Sequence, residues 1–305
     1  MDFIIPAILT IVTAATPLVF AAIGELVVEK SGVLNLGVEG MMIMGAIAGF
    51  AVATSTGSVS LAILAAALAG AAMSLLFGFL TLTLLSNQVA TGLAITIFGI
   101  GLSALIGHGY VGITFEGLAK GIPMLEDIPI VGPLIFGHDV MVYMSFAAVA
   151  GVAWVLTKTR AGLVLRAVGT NHDAAHSLGY SVIGIRYLAV MFGGAMAGLG
   201  GAYLSIAYTP LWVEEMTAGR GWIALALVVF ATWKPWRALA GAYIFGGITI
   251  IQLNVQGFGV NIPAQYLSML PYLATIVVLV MISRDKTLVK MNAPACLGKV
   301  FHATS

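Results

Sequence analysis

The chain has 305 residues, of which 60% are apolar and 8% charged, with a formal net charge of +1. Soluble domains carry about 25% charged residues because their surfaces face water, so a water-facing globule is excluded and a lipid-facing surface is expected. Near-neutral charge argues against a nucleic-acid footprint, and the single cysteine, Cys296, excludes an intrachain disulfide framework.

No Asp, Glu, Lys or Arg occurs between Gly40 and Gly107, or between Ala238 and Ser283. A crossing of the bilayer core needs roughly 20 apolar residues, so each stretch holds more than one. The first apolar run follows Met1-Asp2-Phe3 without a basic leader and reads as a retained span. Apolar runs cover 3–23, 33–53, 59–85, 89–107, 139–157, 187–207, 221–233, 238–254 and 265–283. They predict an all-α, polytopic transmembrane helix bundle of about nine spans (eight to ten), one membrane domain over 1–305. The run 221–233 is short for a crossing.

The run 33–53 opens with Gly32, Asn35, Gly37, Glu39 and Gly40, so its first turns are expected to be irregular, which lipid tolerates only against protein or water. Asn35 and Glu39 stand four apart and share a face if this stretch is helical. A carboxylate at the bilayer centre costs about 2.5–3.5 kcal/mol, so Glu39 needs a reason to be there. It either lines a pathway and bonds a polar group of what passes, or it fixes a re-entrant turn, pairs with Lys30 or caps backbone; a structural or gating role is preferred. Asn87, Gln88, Thr91 and Thr96 cluster at the start of a later span as further pathway candidates, although a membrane threonine often bonds its own backbone. Gly194-x3-Gly198 and Ala197-x3-Gly201 have the spacing of close helix contacts.

Lys158, Arg160, Arg166 and Arg186, then Lys234 and Arg237, then Arg284, Lys286, Lys290 and Lys299 of the tail 284–305 fall on one side of the predicted spans. The positive-inside rule makes that side, with the C-terminus, cytoplasmic. Loops 108–138 and 208–220 then face outward with Glu116, Glu126, Asp127, Glu214 and Glu215, and Arg220 is expected to pair with Glu214 or Glu215.

No phosphate-binding loop is present, since Gly298-Lys299 is followed by Val300. No His/Cys cluster has metal spacing, and no Ser/His/Asp set can be assembled. The chain is therefore not expected to be an enzyme or to hold a metal or cofactor. A transporter would draw energy from an ion gradient or from another subunit. The segment 158–186 offers a docking surface: Asn171 is a good N-cap, Asp173 suits a helix N-terminus and Gly179 suits a C′ position. A capped loop without a partner is an equal reading of these residues alone.

Four blocks resemble one family. The run Arg166-Ala167-Val168-Gly169-x-Asn171-x-x-Ala174-Ala175-x-x-x-Gly179 is similar to the coupling helix of permeases in the ribose and nucleoside branch of ATP-binding-cassette importers. The blocks Glu29–Met42, Gly193–Tyr203 and Gly219–Ala226 resemble the same family in the same order, and Ser31–Met42 is closer to nucleoside than to ribose permeases. His172 and Asp173 depart from a usual Pro and basic residue. The resemblance implies a permease subunit that translocates nucleosides by alternating access; a ribose or simple-sugar permease is the alternative, and an ion-coupled secondary carrier a more distant rival. It implies ATPase coupling through Arg166, Gly169, Asn171, Asp173, Ala174, Ala175 and Gly179. It also implies a separate ATPase carrying ATP and Mg, a second related permease chain, an extracytoplasmic substrate-binding protein and a bacterial or archaeal cytoplasmic membrane.

Overall fold

The computed structural model describes residues 4–121, 125, 126, 128, 132–257, 263, 266, 267, 269–283 and 292–302. Among these, all regular structure is helical apart from two isolated bridges, Thr114 to Leu211 and Lys120 to Asp139. The helices are α1 (Ile4–Lys30), α2 (Val38–Thr56), α3 (Val59–Gly78), α4 (Gln88–Gly107), α5 (Val140–Lys158), α6 (Arg160–Thr170) and α7 (His172–Ser177). They continue with α8 (Val182–Tyr203), α9 (Arg220–Phe230), α10 (Pro235–Gly257) and α11 (Leu270–Ser283). Single π-helical stretches, Phe79–Thr83 and Leu204–Tyr208, extend α3 and α8.

The nine apolar runs all fall on helices, with shifted ends. Among the described residues six helices, α1 to α5 and α8, are long and apolar enough to cross a membrane. The remaining three differ. With 11 residues α9 falls short of a crossing, whereas α10 and α11 have 23 and 14 residues. Helix α1 runs seven residues beyond the predicted run, to Lys30, and α2 starts at Val38, five residues later than the run.

Local chemistry fixes the ends. Ser58, Asn87, Asp139, Thr159 and Ser181 each accept a backbone N–H of the first turn they precede, which satisfies donors a helix cannot use itself. Gly57 closes α2 in the left-handed region at φ +68°.

The core is the packing of α8 against α1, α2 and α3. Small residues set its closeness: a Cβ on Gly198 would strike the Ala66 carbonyl, and one on Gly45 would strike Gly198. Helices without a hydrophobic drive between them associate through such backbone approach, as the small-residue spacing predicts. By contrast, α3 and α4 expose Leu61, Leu64, Leu68, Leu93, Ile97 and Leu105, an apolar surface suited to lipid or to another membrane chain.

Candidate functional site

Two regions gather the predicted site residues. The first is the break between α1 and α2. Residues 33–35 are in no regular structure and Leu36 and Gly37 turn, so Asn35 and Glu39 do not share a helical face. This irregular backbone is satisfied by side chains from three directions. Asn35 Oδ1 accepts the Gly37 N–H at 2.9 Å, and the Asn35 N–H donates to Glu25 Oε1 at 3.3 Å. From α4, Gln88 Oε1 accepts the Leu34 N–H at 2.8 Å, and Thr96 Oγ1 donates to the Leu36 carbonyl at 3.1 Å. Asn35 is fully buried. The pathway candidates therefore divide into two groups. Asn35, Gln88 and Thr96 hold the break, whereas exposed Asn87 caps α4 and Thr91 bonds Ser86 at 2.8 Å.

Glu39, 4% exposed, sits one residue into α2. Its Oε1 accepts the Gly219 N–H at 2.8 Å and its Oε2 the Gly221 N–H at 2.6 Å. Gly219 has φ +80° and no side chain, so α9 lacks a cap of its own. Glu39 supplies it from 180 residues away. A carboxylate at a helix N-terminus meets both orphan N–H groups and the positive end of the dipole. Gly221 must be glycine here, because a Cβ would lie 2.6 Å from the Glu39 backbone. The pairing with Lys30 does not form; Lys30 Nζ donates to the Asn292 carbonyl at 2.8 Å. Nor does Arg220 pair with Glu214 or Glu215. Its Nη1 donates to the Met216 carbonyl at 3.0 Å and its guanidinium lies 5.7 Å from the Tyr208 ring centroid, while both acids stay exposed.

Helix α9 is about 16 Å long at 1.5 Å per residue, roughly half a bilayer core. Its C-terminal turn ends at Trp233, whose indole Nε1–H donates to Glu29 Oε2 at the end of α1. Thus α9 is a half-helix pinned at both ends by carboxylates, Glu39 on α2 and Glu29 on α1.

The second region is α6–α7. Asn171 Oδ1 accepts the Ala174 N–H at 3.0 Å, and Gly179, at φ +87°, closes the helix by donating to the His176 carbonyl at 2.8 Å. The predicted cap and stop are both in place. Arg166, Asn171, Asp173, Ala174 and Gly179 are exposed, whereas Gly169 and Ala175 are buried. Gly169 abuts the Lys30 carbonyl so closely that a Cβ would collide. His172 Nδ1 lies 3.2 Å from Arg186 Nη2. Burial, then the Arg186 charge, lowers the His172 pKa below the ordinary histidine value. His172 Nε2 also lies 3.6 Å from Asp173 Oδ1, a contact that becomes an ion pair only when the ring is protonated.

Four residues that hold these regions together are assigned no such contact by the sequence: Glu25, Glu29, Trp233 and Arg186. Glu25 and Glu29 fall outside the apolar run 3–23, yet both are buried on α1, at 1% and 2% exposure. Their four-residue spacing, with apolar Leu26, Val27 and Val28 between, is the signal that could have found them. Arg186, counted among the orienting charges, is 1% exposed and donates through Nε to the Ser31 carbonyl at 3.2 Å. Asp127, Arg284, Lys286 and Lys290 lie outside the described residues. Among those described, no group of three or more His, Cys, Asp or Glu is placed to hold a metal ion.

Comparison with known proteins adds the frame for this geometry. The family described as "Branched-chain amino acid transport system / permease component" matches residues 7–281. A putative glucose ABC transporter permease protein of Haloferax volcanii is 40% identical over 291 residues, 88% of each chain. A guanosine ABC transporter permease protein of Bacillus subtilis is 34% identical over 295 residues, 92% of this chain and 91% of the relative. A nucleoside ABC transporter permease protein of Lactococcus lactis is 32% identical over 280 residues, 87% and 88%.

Proposed function

The chain belongs to this permease family, and from that premise we propose that it carries nucleosides inward as the membrane subunit of an ATP-binding-cassette importer. It is a multi-pass membrane protein and a permease of the nucleoside or simple-sugar type. The observation that carries the nucleoside reading is its likeness to two nucleoside permeases at 32–34% identity over about nine-tenths of their length. Simple sugar is the second reading, favoured by the 40% identity to the glucose permease.

In this reading the chain does no chemistry. A separate ATPase binds ATP with Mg and engages the exposed residues of α6–α7; an extracytoplasmic binding protein delivers the cargo; a second related permease completes the membrane unit. The basic residues Lys158, Arg160, Arg166, Lys234 and Arg237 put this face and the C-terminus on the cytoplasmic side. Together with the six crossing-length helices, α10 and α11 bring the membrane passages to about eight, within the eight to ten expected, and the half-helix α9 enters the membrane without crossing it. The half-helix α9, hinged on Glu39, is the element whose position would differ between two access states, since an effector must bias two arrangements.

The test is uptake of labelled uridine and adenosine by cells with and without the chain, competed by excess ribose or glucose. Loss of uptake on deletion, indifferent to the sugars, is expected. Uptake abolished by sugar would turn the reading to the sugar importer, and uptake that persists without the ATPase would end the importer reading.

A further inference from the structure

The segment 292–302 lies across three separate parts of the fold. Lys30 at the end of α1 donates to the Asn292 carbonyl at 2.8 Å. The Cys296 N–H donates to the Gly169 carbonyl of α6 at 2.9 Å, and the Gly298 N–H donates to the Gly32 carbonyl at 3.1 Å. Arg186 Nη1, from α8, holds the Lys299 carbonyl at 3.1 Å while its Nε holds Ser31. One turn of chain is thus bonded, backbone to backbone, to α6 on one side and to the α1–α2 break on the other.

The far end is anchored by packing. Phe301 is 6% exposed and forms a small core with Val168, Ala175 and Val182, separate from the main one. The rings of His172 and His176 meet it edge-on, with centroids 5.2 Å and 5.3 Å away. Of these two α7 residues His172 is buried and His176 exposed, as are Asp173 and Ala174. A displacement of α7 therefore reaches Phe301 directly, and through the segment reaches Gly32.

We propose that residues 292–302 form the strut that hands movement of α7 to the α1–α2 break, with Phe301 and Arg186 as its positioning residues. The proposal rests on the reading of α6–α7 as the ATPase contact. The route beyond Gly32 is short: the break leads to Gly37 and α2, and Glu39 on α2 holds the N-terminus of α9. Packed side chains and hydrogen-bonded backbone are the material through which coupling travels, and this path is bonded or packed at each step between α7 and Gly32.

Cys296, the single cysteine, is buried against α6 and reports whether the strut is seated. The experiment uses the complete importer in nanodiscs, with the parent chain, Phe301→Ala, and a chain ending at Lys299. Maleimide labelling of Cys296, the ATPase-to-permease ratio and substrate moved per ATP hydrolysed are measured together. Release of the segment is expected to raise labelling about tenfold, as local opening does. Transport per ATP is expected to fall about fivefold or more, the lower end of usual coupling, with the ATPase still bound in full ratio. Faster labelling with unchanged transport per ATP would overturn the proposal. So would labelling at the parent rate in both variants, which would mean Phe301 does not seat the segment. Loss of the ATPase from both variants would make the segment a docking element and not a strut. A parent chain that binds no ATPase would instead remove the importer reading, while the labelling still reported what Phe301 holds.

Discussion

Helices α7 and α9 are both short, and both begin on a capped N-terminus, but the caps come from different distances. For α7 the cap is Asn171, three residues from the N–H it accepts. For α9 it is Glu39, 180 residues away. The local cap is neutral and lies at an exposed surface; the remote one is a buried carboxylate joined to two N–H groups. A local cap steadies a helix wherever that helix goes. A remote cap ties two elements together, so α9 cannot leave α2 without stranding a charge in an apolar setting.

This contrast can be broken most forcefully at Glu39. Glu39→Ala removes two charge-assisted bonds, and the expected cost is about 3 kcal/mol or more, read as a lower unfolding midpoint in detergent together with loss of uptake. Glu39→Gln is expected to be nearly as harmful, since an amide presents an NH₂ group where an acceptor is needed. Unchanged stability in Glu39→Gln would reduce the remote cap to packing. The local cap should respond more mildly and more permissively. Asn171→Ala is expected to cost about 1 kcal/mol and Asn171→Asp almost nothing, measured by hydrogen exchange across 172–180.

The smallest effect expected is one of pH. The His172 ring faces Arg186, Asp173 and Lys299, and its pKa is lowered in the folded state. The unfolded or released state therefore binds a proton first, so the seated state is most stable above the ordinary histidine pKa of about 6.5. That contribution is lost as pH falls through this value toward the lower folded one. Cys296 labelling should rise on acidification in the parent chain relative to His172→Asn at the same pH, a ratio that cancels the titration of the thiol itself. A ratio flat with pH would detach His172 from the segment.

Legibility in the sequence follows the same division. Asn171, Asp173 and Gly179 could be read because a cap and a stop act within one turn. The apolar runs could be read because each helix carries its own solvent preference, and irregularity after Gly32 because glycine, Asn and Glu crowd a span start. What could not be read is the set of partners. Glu29 meets Trp233 across 204 residues and Arg186 meets Ser31 across 155, and no local pattern encodes such distances. The same limit hid the partners of Gln88 and Thr96: a polar side chain in a span must bond something, and here that something is backbone of residues 34–36, more than 50 residues away.

The crossing at Gly45 and Gly198 sets a rule for the protein's tolerance of change. In a saturation library scored by surviving transport, the mildest replacement elsewhere, alanine, should be among the lost variants at these two positions. The outward leucines of α3, at Leu61, Leu64 and Leu68, should accept most apolar substitutes. Over long divergence, then, the α2–α8 seam would stay nearly fixed in spelling while the surface around it drifts, and the seam would be the place to recognise this architecture after most of its sequence had changed.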